Sequence, residues 1–216
     1  MDTPLSPYCP NEQLYVFWEN GFSDEEMDQL IEYAEVLQLQ KGIVGSAGDV
    51  REDNSVRDSE IVFIQPNDHP VIRMFYDRMS YIVNKVNHEF FQTDIEAIGD
   101  FQYTKYRAPA GHYSWHMDTG DNNGRYQRKL SMVMQLSNPD EYEGGELELL
   151  LGGEPDKAFK VPKKRGLVTV FPSYLLHRVA PTTSGIRLSP NNFTSSAGLI
   201  YFTSLYSLVS SSPSIS

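Results

Sequence analysis

Four residues carry the chemistry of this sequence: His116 and Asp118 in Tyr113-Ser-Trp-His-Met-Asp118, then His177, then Arg187. Two imidazoles and one carboxylate form the ligand set that leaves open positions on a non-haem Fe(II) ion. In a β-strand alternate side chains share a face, so His116 and Asp118 can address one metal from a single strand. His177 must then arrive on another strand folded back beside the first. Arg187 offers a rigid fork of donors suited to a carboxylate, such as that of a 2-oxo dicarboxylic acid. Catalytic zinc could use the same three ligands, but zinc hydrolysis has no need of the arginine. A structural zinc site wants four ligands, usually with thiolates, and the lone Cys9 is far from the cluster.

The rest of the chain must position these groups. Ser23-Asp-Glu-Glu26 is a capping box, and Met27, Leu30, Ile31, Ala34 and Leu37 follow at helical spacing, predicting a helix over about 24–37. A second helix opens at Asp68 and Pro70 and runs to about Phe91 on one apolar stripe. An opening strand is expected at 13–18 and another at 61–64. Beyond residue 98 the pattern turns to alternation, with strands expected at 98–106, 112–118, 130–136, 146–151, 166–171, 175–179 and 186–189. In the first of these, Phe101, Tyr103 and Lys105 share one face and Gln102, Thr104 and Tyr106 the other. Turn signals separate the strands, Pro181–Gly185 among them. Two helices followed by at least eight short strands indicate a mostly β chain: a jelly roll with helices packed on one outer sheet. Gly42–Asp58 and Thr119–Gln127 are expected as loops that close over a site.

With 216 residues and no internal linker, a single domain over 1–216 is expected, with a catalytic core at about 98–189 and a frayed tail at 210–216. A net charge of −11 argues against a nucleic-acid partner, since no basic stripe is present to displace counterions. One cysteine allows no internal disulfide and fits a reducing, cytoplasmic compartment. Neither a signal peptide nor an apolar run of membrane-spanning length is seen. Nothing in the sequence indicates an oligomeric state.

The stretches Gln102–Tyr106, Gly111–Tyr113, His116–Asp118, Arg128–Leu136, Tyr142–Leu147 and Phe171-Pro-Ser…His177…Arg187 together resemble the Fe(II)- and 2-oxoglutarate-dependent oxygenases of the prolyl 4-hydroxylase type. The resemblance implies a double-stranded β-helix core, with Fe(II) held by His116, Asp118 and His177. It implies 2-oxoglutarate bound through Arg187, with Tyr106, Ser189 and Gln135 as further contacts. Arg128, Tyr113 and Trp115 would lie at the mouth, toward a prolyl-containing peptide or protein, or else a free amino acid or other small molecule. O2 is the other co-substrate and ascorbate a candidate reductant. One departure stands out. Pro190-Asn-Asn192 is expected to cut the arginine strand short, with 198–209 supplying a replacement, and that irregularity keeps open a non-catalytic, metal-retaining binding module.

Overall fold

The computed structural model describes residues 14–45, 51–119 and 126–197. In chain order the elements are β1 (Val16–Trp18), α1 (Asp24–Glu35), β2 (Gln40–Lys41), β3 (Arg57–Asp58), β4 (Glu60–Ile64), α2 (Pro70–Val86) and β5 (Ala97–Ile98). Then follow β6 (Phe101–Arg107), β7 (His112–His116), β8 (Tyr126–Met134), β9 (Tyr142–Gly144), β10 (Leu147–Leu149), β11 (Phe159–Lys160), β12 (Val168–Pro172), β13 (His177–Val179) and β14 (Thr182–Ala197). They make two facing sheets. The major sheet runs β1-β12-β8-β14-β6-β4-β2, with β5 and β9 also on β14, and the minor sheet runs β11-β10-β13-β7-β3. This is the jelly roll expected, with both helices against the major sheet.

The helices hold the back of that sheet. The capping box forms as expected: the Glu26 N–H donates to Ser23 Oγ at 3.2 Å and the Ser23 N–H to Glu26 Oε2 at 2.9 Å. From α1, Met27, Leu30 and Ala34 are buried. From α2, Val71, Ile72, Phe75, Met79, Ile82, Val83 and Val86 are. They meet Phe101, Tyr103, Leu130, Met132, Met134, Val168 and Val170 in one core. Phe75 stacks on Phe22 at 4.4 Å and meets Phe101 edge-on at 5.3 Å. The alternate residues of the same strands turn into the space between the sheets. β6 is therefore buried on both faces, with Phe101, Tyr103 and Lys105 toward the helices, where Lys105 pairs with Glu35 of α1, and Gln102, Thr104 and Tyr106 toward the interior.

Three sequence expectations are corrected. The second helix ends at Val86 and closes with a π turn over Asn87–Phe91. The segment 42–58 is not loop throughout, since Arg57 and Asp58 pair with Tyr113 and His112 on β7. Most consequentially, the arginine strand is not cut at Pro190. β14 runs unbroken to Ala197 and takes in the supposed turn at 181–185 from Thr182 onward. The reason lies in the pairing. Leu188 turns its backbone toward β8, its N–H donating to Ser137 Oγ at 2.8 Å and its carbonyl accepting from the Leu136 N–H at 3.1 Å. Pro190, two residues on, faces the same way, so the donor it lacks is not one the β6 ladder uses. Asn191 pairs with both β6 and β8, and from Asn192 onward β14 continues along β8. The replacement strand expected at 198–209, the tail at 210–216 and most of the 119–127 loop lie outside the described residues.

Because α2 secures the sheet through Phe75, Phe75→Ala should cost about 3–5 kcal/mol. Urea unfolding would show this as a lower midpoint with an unchanged slope, whereas a loss under about 1 kcal/mol would mean that the helix face is not packed as described.

Candidate metal centre

The minor sheet places two of the three candidate ligands. His177, the first residue of β13, pairs directly with His116, the last of β7. The register shifts between this pair and Val179↔Tyr113, a bulge that turns both Tyr113 and His116 into the cavity. Their rings stack at 3.6 Å. Asp118 lies two residues past the strand rather than in it, fixed by its N–H donating to the Ser173 carbonyl at 2.8 Å. One ligand atom from each of the three residues falls within 4.8 Å of the others. Asp118 Oδ2 is 3.2 Å from His177 Nε2, and Oδ1 is 3.6 Å from His116 Nε2.

Backbone carbonyls decide which nitrogen faces inward. Nδ1 of His116 lies 2.7 Å from the Ser114 carbonyl, and Nδ1 of His177 lies 2.8 Å from that of Leu175. A carbonyl only accepts, so each Nδ1 carries the proton and each neutral ring presents its Nε2 lone pair to the centre. Ser131 Oγ donates to Asp118 Oδ2 at 2.8 Å and lies 2.9 Å from Ser173 Oγ.

The charges are balanced against burial. Burial and the neighbouring His177 push the His116 imidazole down to about 4. Burial would raise the Asp118 carboxyl, but the two imidazoles and the Ser131 hydroxyl overcome it and leave it at about 2. Burial pulls His177 down, and the adjacent carboxylate more than compensates and holds it up. A buried carboxylate with two imidazoles and no thiolate, all aimed at one point and open on the cavity side, fits a divalent metal with free positions.

Arg187 stands on β14 opposite Tyr106, at 1% exposure. Its Nε and Nη2 have no hydrogen-bond partner, and it makes no ion pair with a carboxylate among the described residues. Gly145 at φ +64° makes room for it, since a Cβ there would stand 3.2 Å from Arg187 Cδ. The Tyr106 hydroxyl is equally buried and partnerless, and burial pushes it up against the pull of two nearby guanidiniums, so it remains a neutral donor. Such orphaned donors buried between the sheets are what a polar co-substrate would satisfy.

The other expected site residues divide. Tyr113 and Arg128 are on the cavity wall with Tyr106, His116, Asp118 and His177, while Arg187 stands behind Tyr106, 5.3 Å from its ring centre. Gln135 is buried with a partnerless Nε2, and the Ser189 hydroxyl donates to Asn191 Oδ1 at 3.1 Å; neither reaches the wall. Trp115 does not line the cavity: it lies against Arg178, which is bound to Glu148. Sequence reasoning missed Arg57, Asn191 and Phe193, all on the wall, and Ser131 behind Asp118. Alternation from Arg187 would have found Asn191 and Phe193 had the strand been carried past Pro190.

Comparison with known proteins agrees with this geometry. The family model of the 2OG-Fe(II) oxygenase superfamily matches residues 101–195, the span holding all three ligands and Arg187. That match takes in somewhat under half of the chain. Over 83 residues the chain is 46% identical to a PKHD-type hydroxylase of Synechococcus sp. (strain CC9605), covering 38% of this chain and 36% of the relative. The chain spans from about a third to somewhat over half of the curated relatives it matches. The fold is similar to a Pseudomonas putida prolyl-4-hydroxylase, with TM-score 0.68 and 19% identity over 87% of this chain and 95% of that one. It is similar also to a Trichoplax adhaerens prolyl hydroxylase solved with a hypoxia inducible factor peptide, with TM-score 0.68 and 16% identity over 84% of this chain and 83% of that one. No helix among the described residues is long and apolar enough to cross a membrane.

Ser131→Ala removes the hydroxyl that orients Asp118 without touching a ligand. Anaerobic titration with Fe(II) should show affinity reduced about 10–100-fold. Unchanged affinity would mean that the carboxylate needs no such support.

Proposed function

We propose that this chain is an Fe(II)- and 2-oxoglutarate-dependent dioxygenase that hydroxylates a prolyl residue in a peptide or protein. The observation that carries the proposal is the pairing of the His116–Asp118–His177 triad with a buried, unpaired Arg187 between the same two sheets. The bound iron with 2-oxoglutarate and O2 would supply the oxidising power, yielding succinate, CO2 and a hydroxylated C–H position.

The protein's part is placement. His116, Asp118 and His177 hold the metal through Nε2, a carboxylate oxygen and Nε2, with both Nδ1 protons committed to the backbone. Arg187 meets the distal carboxylate of 2-oxoglutarate with two free donors, and the neutral Tyr106 hydroxyl adds a third beside it. The nearly dry environment of these groups strengthens each contact and keeps the oxidising chemistry from water. Tyr113 and Arg128 would face the substrate. Ascorbate, in this reading, is the reductant that keeps the metal ferrous.

The prolyl assignment is supported by the names of the relatives and by the peptide seen with the Trichoplax adhaerens enzyme. A non-catalytic binding module drew its case from a strand cut at Pro190, and β14 runs on past that point. Zinc hydrolysis leaves Arg187 without a purpose.

The test is turnover of the Fe(II)-loaded protein with 2-oxoglutarate, O2, ascorbate and a panel of proline-containing peptides. Succinate should form with a +16 Da peptide product, and His177→Ala should form neither. Iron binding with no succinate under any condition would contradict the proposal.

A further inference from the structure

A second buried guanidinium faces the cavity, and nothing so far assigned uses it. Arg57, on β3, is 5% exposed and lies on the cavity wall. Its Nε donates to Ser59 Oγ at 2.9 Å and its guanidinium carbon sits 4.6 Å from the Tyr113 ring centre. Its Nη2 is buried without a hydrogen-bond partner, and no carboxylate among the described residues pairs with it. Gly42 leaves the room it occupies, since a Cβ there would lie 2.6 Å from Arg57 Nε. A buried cation is normally paired, because removal from water costs several kcal/mol that a stacked ring and a hydroxyl do not return. The one acid on the cavity wall, Asp118, is committed to the triad.

The surroundings share this sign. Arg128 is on the same wall, its guanidinium carbon 3.9 Å over the Phe193 ring. It is also a wall of an adjoining groove of about 420 Å³, in which Lys129 is a second cation and no acid among the described residues takes part. In a chain with 29 acids and 18 bases, a cavity and groove lined, among the described residues, by three cations and the single acid Asp118 run against the average. Such a field draws in anions and rejects cations.

We propose that the substrate of this site carries a carboxylate, received by Arg57 inside the cavity with Arg128 at its mouth. The inference rests on the oxygenase reading and adds to it the charge of the substrate. The carboxylate could belong to an acidic residue beside the reacting position of a peptide, or to a free amino acid. Both offer the same group to the same fork of donors.

Anaerobic calorimetry on the Fe(II)- and 2-oxoglutarate-loaded protein separates these sources. One ligand pair is an end-blocked peptide containing Asp-Pro and its Asn-Pro counterpart. The other is free L-proline and L-prolinamide. In at least one pair the carboxylate member should bind about tenfold tighter, the expected worth of one charged hydrogen bond. The pair that shows it identifies the source. In Arg57→Met that ratio should fall to about one, and Arg57→Lys should restore part of it. A merely structural arginine, acting by holding Tyr113, would weaken both members equally and leave the ratio intact. That result would overturn the proposal, as would the absence of any preference in the unmodified protein. Titration with 2-oxoglutarate keeps the two readings apart. If its binding is lost in Arg57→Met but kept in Arg187→Met, Arg57 serves the co-substrate and the proposal fails. If 2-oxoglutarate never binds while the carboxylate preference persists, the oxygenase reading fails and this one stands.

Discussion

The register of β13 on β7 sets His177 directly opposite His116, and the chemistry of the molecule hangs on that pairing. A slip of one residue would turn every side chain on one of the strands to the far face and scatter the ligands. Much of the surrounding structure secures this alignment. The carbonyls of Ser114 and Leu175 fix each imidazole's tautomer, the Ser173 carbonyl anchors the backbone of Asp118, and the Ser131 hydroxyl orients its carboxylate. The anchoring groups come from both sheets, so the site exists only when the sandwich is closed.

The major sheet makes this compatible with stability. Strand β6 is buried on both faces, and the period of two sends Phe101 and Tyr103 to the helices and Gln102, Thr104 and Tyr106 to the interior. The apolar half carries the burial energy. The interior between the sheets holds what a stability argument alone would remove: the guanidiniums of Arg187 and Arg57, each with an unpartnered donor, and the partnerless Tyr106 hydroxyl. Each is a cost in the ligand-free protein. Their convergence on one cavity is what identifies a binding site rather than a defect of packing.

Much of this was legible in the sequence. The cluster of His116, Asp118 and His177 was visible from residue type and spacing, the helices from Ser23-Asp-Glu-Glu26 and the stripe on α2, and the burial of Tyr106 from the alternation of β6. The failures have physical causes. Pro190 and Asn191-Asn192 read locally as a stop, but the edge to which Pro190 turns is a tertiary fact, and with it went Asn191 and Phe193. Trp115 was placed at the mouth by the resemblance alone; alternation puts Tyr113 and Trp115 together on the face opposite His116, and the bulge brings only Tyr113 of the two to the cavity. Arg57 sits in a stretch rich in Gly, Ser and Asp, and only its pairing with Tyr113 shows that it is part of a sheet.

The central claim is that the triad and Arg187 form one site for iron and 2-oxoglutarate. The most direct test is anaerobic titration of the Fe(II)-loaded protein with 2-oxoglutarate, following the visible charge-transfer band that arises when a 2-oxo acid chelates iron. A saturable band is predicted, weakened in Arg187→Ala and absent in His116→Ala. Iron bound without any band, or a band indifferent to Arg187, would contradict the account.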